Sequence, residues 1–262
     1  MTPTTMRGEP DGGADRGSPE TERLQKYIAR CGVTSRRGAE TLITDGRVAI
    51  DGVTVTELGT RVDPRRQRVT VDGTAITPPS EYWYVMLNKP AGVVTTLDDP
   101  QGRPAVAAFV PSGAPRLFPV GRLDAATTGL LLLTNDGALA HSLMHPRFHV
   151  PKVYITEVDG VPDTADVQRL REGVELDDGL TSPAEARVVD TTQDGGSRVE
   201  LVLREGRKRQ VRRMLSAVGH PVRTLERVAY GPLELGGLAR GQTRVLLPEE
   251  VARLQAATRG EA

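Results

Sequence analysis

The apolar positions of this chain change period between its two halves. From residue 21 the stretch "ERLQKYIARCG" carries Leu24, Tyr27 and Ile28 at helical spacing and stops at Gly32, a good helix terminator. "TSRRGAETLITDG" opens on the capping-type residues Thr34 and Ser35, sets Ala39, Leu42 and Ile43 on one face and ends at Gly46. The period then falls to two. "RVAIDGVTV" turns on Asp51-Gly52 and "RVTVDGTAI" on Asp72-Gly73, each the signature of a tight hairpin. Two short helices followed by a small hairpin sheet make a compact unit with little core. "TPPSE", residues 77–81, reads as a linker.

Beyond it the elements mix. "YWYVMLNKP" is a buried strand ending before Pro90, and "GLLLLTNDG" another, closed by a turn at Asn135-Asp136-Gly137. "ALAHSLMHP" is a short helix stopped by Pro146, "KVYITEV" a strand, "TADVQRLREG" a helix and "SRVELVLREG" a strand. "RKRQVRRMLSAVG" is a helix capped by Gly219. Without a regular βαβ alternation or an internal repeat, this order predicts an α+β domain with a mixed, largely antiparallel sheet flanked by helices. The expected organisation is a disordered tail over 1–20, rich in Gly, Pro and acid, a small domain over 21–80, and a second domain over 81–256.

One acid sits badly with this pattern. In "VGRLDAATTGLLLLTNDG", only Ala125 to Gly129 separate Asp124 from four consecutive leucines. Asp before Ala-Ala could cap a helix, but five residues make a loop or one turn, not a helix of ordinary length. Asp124 therefore belongs to a loop feeding a buried strand, where a partly desolvated carboxylate must be neutralised or paired. A structural ion pair and a functional acid both satisfy that demand. The helix near 208–218 offers a cation. Val211, Met214, Leu215 and Val218 form its apolar stripe. At about 100° per residue Arg212 lies at the margin of the stripe, while Arg209 and Arg213 point away toward solvent or phosphate. Lys208 also lies near the margin, at the helix start. Tyr154 alternates away from Val153 and Ile155 and serves equally as core or as a stacking platform.

Charge sharpens the picture. The formal net charge is zero, yet residues 204–213 hold six Lys/Arg against Glu205, a local +5, and residues 21–80 hold ten Lys/Arg against seven Asp/Glu, or +3. Such local fields, not the total, meet a polyanion. Aromatic residues are only 3% of the chain, so Tyr154 beside charged motifs carries more information than usual. No run approaches 18 apolar residues, which excludes a transmembrane helix, and the first twenty residues lack the apolar region of a secretory signal. A single cysteine, Cys31, forms neither an internal disulfide nor a metal cluster. His141 and His145 are spaced for two ligands on a helix, but no third ligand accompanies them, so no metal is expected. No phosphate-binding glycine loop and no nucleophile elbow is present. A cytoplasmic, soluble protein follows from these exclusions.

Several long motifs, in order over residues 21–250, resemble the RsuA/RluB-type RNA pseudouridine synthases: "LNKPAGVVTTLDDPQGRPAV", "VGRLDAATTGLLLLTNDG", "MHPRFHVPKVYITEVDG" and "LREGRKRQVRRMLSAVGHPVRTLERVAYGPLELGGLARGQTRVL". Residues 21–80 resemble the αL RNA-binding domain that precedes the catalytic domain in many members. The resemblance implies isomerisation of a uridine in ribosomal RNA: the N1–C1′ bond breaks, the uracil turns and a C5–C1′ bond forms. It implies that Asp124 is the nucleophile, that Tyr154 stacks on the base and takes part in proton transfer, and that Arg212 is the basic partner of the aspartate. It assigns Arg122 to opening the base stack and Leu225 to packing against the base. Lys208, Arg209 and Arg213, with Arg36 and Arg37 of the small domain, are implied as RNA contacts. No cofactor or metal is implied, since the reaction has no redox step and no net hydrolysis.

"DDPQGR" and "LLLLTNDG…LMHPRF" look closer to the large-subunit branch, which makes 23S rRNA, free or in an assembling subunit, the expected partner of a monomeric enzyme. The alternatives are the same chemistry on 16S rRNA, or an idle RNA-binding protein of ribosome assembly. The retained Asp124, Tyr154 and Arg212 argue against the second. A glycosidase-like hydrolase would need a well-placed second carboxylate, and Asp98-Asp99 reads instead as a surface turn.

Overall fold

The computed structural model describes residues 21–259. The expected tail over 1–20 lies outside them. The chain divides into two compact units between Pro78 and Pro79, inside the stretch read as a linker.

In the first unit α1 (Leu24–Arg30) and α2 (Arg36–Thr44) pack on a four-stranded sheet. Ser35 caps α2, its side chain accepting from the Gly38 N–H. The sheet joins β1 (Val48–Ile50) to β2 (Val53–Val55) and β3 (Val69–Val71) to β4 (Thr74–Ala75). Both hairpins turn on two residues with positive φ, Asp51-Gly52 and Asp72-Gly73, the conformation those dipeptides favour. Leu24, Tyr27, Ile28, Ala39 and Ile43 meet Val48, Val62 and Val69 in one small core.

The second unit is built on a nine-stranded sheet. Its main strands are β5 (Tyr84–Lys89), β6 (Thr128–Thr134), β7 (Lys152–Val158), β8 (Glu185–Thr191), β9 (Ser197–Leu203), β10 (Val222–Tyr230) and β11 (Thr243–Val245), in the order β8-β9-β7-β10-β6-β5-β11. Every neighbouring pair on this path is antiparallel except β6 and β10. The fold is α+β, as the order of elements predicts.

The leucine run now has its reason. A strand covered on both faces needs apolar side chains at every position. Leu130 and Leu132 meet Tyr84, Met86 and Tyr230, together with Leu139, Ala140 and Leu143 of α3 (Gly137–Met144). Leu131 and Leu133 point the other way, to Val85, Leu87, Val106, Leu117 and Leu123. A third cluster sets Val158, Val199, Leu201 and Leu225 against Val211, Met214 and Leu215 of α5 (Gln210–Ala217). The α4 helix (Thr164–Glu172) adds Leu170 to it behind an Asp163–Asp166 capping box.

Two expectations change. Asn135, Asp136 and Gly137 do not form a free turn. Asp136 caps α3 by accepting from the Ala138 and Leu139 N–H groups and also accepts from the Tyr84 hydroxyl. Helix α5 begins at Gln210, not before Lys208, because Arg209 takes a left-handed conformation with φ 51°. The Gln210 side chain folds back, accepting from the Arg207 N–H and donating to Glu205.

The parallel β6–β10 seam sets Thr128 against Glu226 and Gly129 against Arg227. Gly129 has φ +102°, and a Cβ there would lie 2.3 Å from the Arg227 carbonyl oxygen. Gly129→Ala should therefore cost at least about 2 kcal/mol, the scale of a strained backbone with no room to relax. Gly137→Ala, whose Cβ would find its nearest neighbour at 3.9 Å, should be close to neutral. Urea denaturation of both variants checks the contrast.

Candidate active site

Asp124 lies just ahead of β6, in a loop held at nearly every residue. Thr95 fastens Leu123 from both sides, its hydroxyl donating to the Leu123 carbonyl at 2.7 Å and accepting from the Leu123 N–H at 3.2 Å. The Thr127 N–H closes a turn on the Asp124 carbonyl at 3.0 Å, and the Gly92 N–H donates to the Ala125 carbonyl at 2.8 Å. Asp124 does not cap a helix: a short turn at Ala125-Ala126 leads straight into the strand.

Lys89 completes the clamp. Its side chain is buried, and the ammonium donates to the carbonyls of Pro90 (2.9 Å), Ala125 (3.3 Å) and Thr127 (2.8 Å). One cation thus ties the end of β5 to the Asp124 loop. Burial pulls the Lys89 pKa down to about 8, while the Asp124 carboxylate opposes that pull. Neither Lys89 nor Thr95 is among the residues expected from sequence. A lysine closing a strand that reads as buried, "YWYVMLNKP", is a signal that could have found the first; nothing in the pattern marks the second.

Tyr154 on β7 is half-buried and packs against two clusters, one containing Leu123 and the other Leu225 and the α5 stripe. It therefore stands where the Asp124 loop, β10 and α5 converge. Leu225 is 6% exposed, so most of its surface is already covered by its own core. Arg122 is exposed beside Asp124.

The stripe assigned to α5 is buried, with Val211, Met214, Leu215 and Val218 all inside. Arg212 is half-buried at its margin, its Nη1 donating to the Val222 carbonyl at 3.3 Å. Burial and the neighbouring Arg209 lower its pKa, and the Asp124 carboxylate raises it. The two side chains lie within electrostatic reach, but no ion pair joins them within 4 Å among the described residues. The Arg212 Nε is buried without a hydrogen-bond partner.

Arg213 departs from its expected place facing solvent. It is half-buried, and its guanidinium bridges Asp177 (2.6 Å) and Asp178 (2.7 Å). Those acids lie 35 and 36 residues away in sequence, beyond the reach of a helix-face argument. Lys208 and Arg209 are exposed, as are Arg36 and Arg37 at the start of α2 in the other unit. No group of three or more His, Cys, Asp or Glu among the described residues is arranged to hold a metal ion. No described helix is long and apolar enough to cross a membrane.

Residues 83–217 match the family model described as RNA pseudouridylate synthase, and residues 22–67 match the S4 domain. An uncharacterized RNA pseudouridine synthase of Mycobacterium tuberculosis is 45% identical over 252 residues, covering 95% of this chain and 98% of the relative. The ribosomal large subunit pseudouridine synthase B of Bacillus subtilis is 44% identical over 236 residues, covering 90% of this chain and 96% of that one. A solved structure described as a pseudouridylate synthase superposes with a TM-score of 0.65 at 32% identity, covering 88% of this chain and 99% of that one.

The electrostatic link between Lys89 and Asp124 can be measured. The Lys89 ammonium should lose its proton as pH rises through about 8, not near 10.5. The carboxylate holds that value up, so Asp124→Asn should move the midpoint lower still. Carbon-13 labelling of the lysine Cε positions, with the signal assigned by its loss in Lys89→Met, reports both midpoints. An unchanged or raised midpoint in Asp124→Asn would contradict the contact.

Proposed function

The chain belongs to the RNA pseudouridylate synthase family, an isomerase with an S4 domain ahead of the catalytic one, and we propose that it converts one uridine of 23S ribosomal RNA to pseudouridine with Asp124 as nucleophile. The observation that carries this reading is the loop clamp. Lys89 and Thr95 hold the backbone on both sides of Asp124, and Arg212 and Lys89 place two cations in the field of its carboxylate.

The chemistry asks for such an arrangement. Isomerisation breaks the N1–C1′ bond, turns the uracil and forms a C5–C1′ bond. The hydrogen at C5 leaves as a proton, and N1 ends protonated. Attack at ribose C1′ and attack at C6 of the base both begin from a fixed carboxylate aimed at the nucleotide. The target is hidden in a stack, so the base is extruded at a cost of a few kcal/mol. Stacking on the Tyr154 ring returns roughly 1–3 kcal/mol. Arg122, exposed beside Asp124, fills the space the nucleotide vacates, and Leu225 presents its small exposed edge to the base. Arg212 supports the negative charge at the site. Lys208 and Arg209, with Arg36 and Arg37 of the S4 domain, grip the RNA backbone through salt-sensitive contacts.

The relatives named ribosomal large subunit pseudouridine synthase B, in Bacillus subtilis and Pseudomonas aeruginosa, support the large subunit as the source of the RNA. The enzyme acts in the cytoplasm as a monomer, without metal or cofactor.

Purified protein incubated with rRNA tritiated at uridine C5 should release tritium from 23S and not from 16S RNA. Release from 16S alone would reassign the substrate, and release from neither, naked or in subunits, would remove the synthase reading. Asp124→Asn should lower the rate by about 10³-fold or more while RNA binding persists. Arg212→Ala should slow the step at saturating RNA by about 10²-fold, the scale of removing one charge-stabilising donor. Arg209→Ala should chiefly raise Kd, more so at low salt, and make the slope of log K against log salt shallower.

A further inference from the structure

Between α5 and the two-stranded hairpin Glu175–Leu180 lies an open groove of about 520 Å³, lined by Glu175, Asp177, Arg209, Arg212, Arg213 and Ser216 among others. Arg212 and Ser216 recur at the spacing of one helix face, and Arg209 stands at the left-handed turn just ahead of them. Arg212 links the groove to the candidate nucleophile, because it both lines the wall and feels the Asp124 charge.

The opposite wall is acidic; Asp177 and Asp178 both bond Arg213, and Asp178 also reaches Arg207 at 3.4 Å. The Arg213 guanidinium is shared between the carboxylates of Asp177 and Asp178 at the hairpin tip. The hairpin does not depend on those two bonds for its position. Arg207 holds its backbone, donating to the carbonyls of Asp178, Gly179 and Leu180. The Asp177 side chain is 82% exposed, so its bond to Arg213 can exchange without unfolding anything. The Nε atoms of Arg212 and Arg213 are both buried without a partner. The planar guanidinium groups that line the groove suit an oxyanion with several acceptor oxygens.

We propose that this groove is a phosphate track for the RNA strand flanking the target uridine, and that Asp177 and Asp178 are counter-charges which the incoming phosphates displace from Arg213. The inference rests on the RNA-modifying function proposed above and adds a second contact surface to it. In the free protein the two carboxylates neutralise Arg213, so an RNA engages it only by offering a phosphate that competes for the same guanidinium. RNA that does not thread the groove gains nothing from Arg213. The hairpin thus sharpens the distinction between a strand lying in register with the site and one lying elsewhere on the basic surface.

The full-length protein and a labelled 23S rRNA transcript provide the test, with Kd measured by filter binding across a range of salt. Asp177→Asn and the Asp177→Asn/Asp178→Asn double variant should bind about twofold to fivefold tighter at low salt, the size of one released surface ion pair. The slope of log K against log salt should steepen by about 0.7 for one added single-strand phosphate contact. Ser216→Glu should weaken binding by a similar factor, whereas Ser216→Gln, of equal size, should not. Asp190→Asn serves as the control, since Asp190 is an arginine-paired acid on the β8 strand, facing Arg198. Three outcomes would overturn the proposal: no tightening in either acidic variant, equal tightening in Asp190→Asn, or identical behaviour of the two Ser216 variants. Asp177→Asn alone carries the argument if the double variant fails to fold. Binding is read without turnover, so the expected charge dependence in a protein that releases no tritium would defeat the synthase reading and leave the groove standing.

Discussion

The catalytic domain turns on one close approach of backbones, where Gly129 of β6 lies against Arg227 of β10. This is the parallel contact in an otherwise antiparallel succession of strands, and it joins the half of the sheet carrying the leucine run to the half carrying Tyr154, Leu225 and α5. A side chain at Gly129 would part the strands. With the seam intact, the loop entering β6 and the helix leading into β10 face the same side chains. Arg227 reinforces the join, its buried guanidinium donating to the Leu130 carbonyl and lying over the Tyr230 ring. The site is thus a product of sheet order: neither half contains it alone.

Within that frame the electrostatics are divided between backbone and side chain. The Lys89 ammonium is spent on three carbonyl oxygens and so orients the loop, yet its charge still reaches Asp124. Arg212 has the complementary arrangement. It makes a single long bond to a carbonyl and keeps a buried Nε with no partner. A closed ion pair would commit the carboxylate before substrate arrives. A cation held at electrostatic range instead leaves the carboxylate oxygens uncommitted, as the proposed reaction requires of a preorganised polar site.

What the sequence made legible was whatever is specified locally. Asp-Gly pairs signal positive φ, and both hairpins turn where those pairs stand. The stripe Val211, Met214, Leu215 and Val218 is a matter of angle along one helix, and all four residues are buried. Arg212 could be singled out on the same ground, although angle says nothing of distance and the pairing with Asp124 stops short of contact. Contacts between distant segments stayed hidden. Thr95 reaches Leu123 across 28 residues, and Arg213 finds its two aspartates across more than 30. The start of α5 differs from the expected one for a related reason: the basic residues before Gln210 are good helix formers, and the left-handed turn at Arg209 overrides that propensity.

The clamp around Asp124 has a consequence for how the protein loses activity on heating. Proteins commonly open in pieces, with functional loops at the least stable end of the range. Here Lys89 and Thr127, which anchor the loop, abut strands buried on both faces, and the Leu123 side chain belongs to the core beneath them. Freeing the loop would strand a buried ammonium and uncover part of that core. The Asp124 loop therefore belongs to the same cooperative unit as the central sheet and opens only when that sheet does.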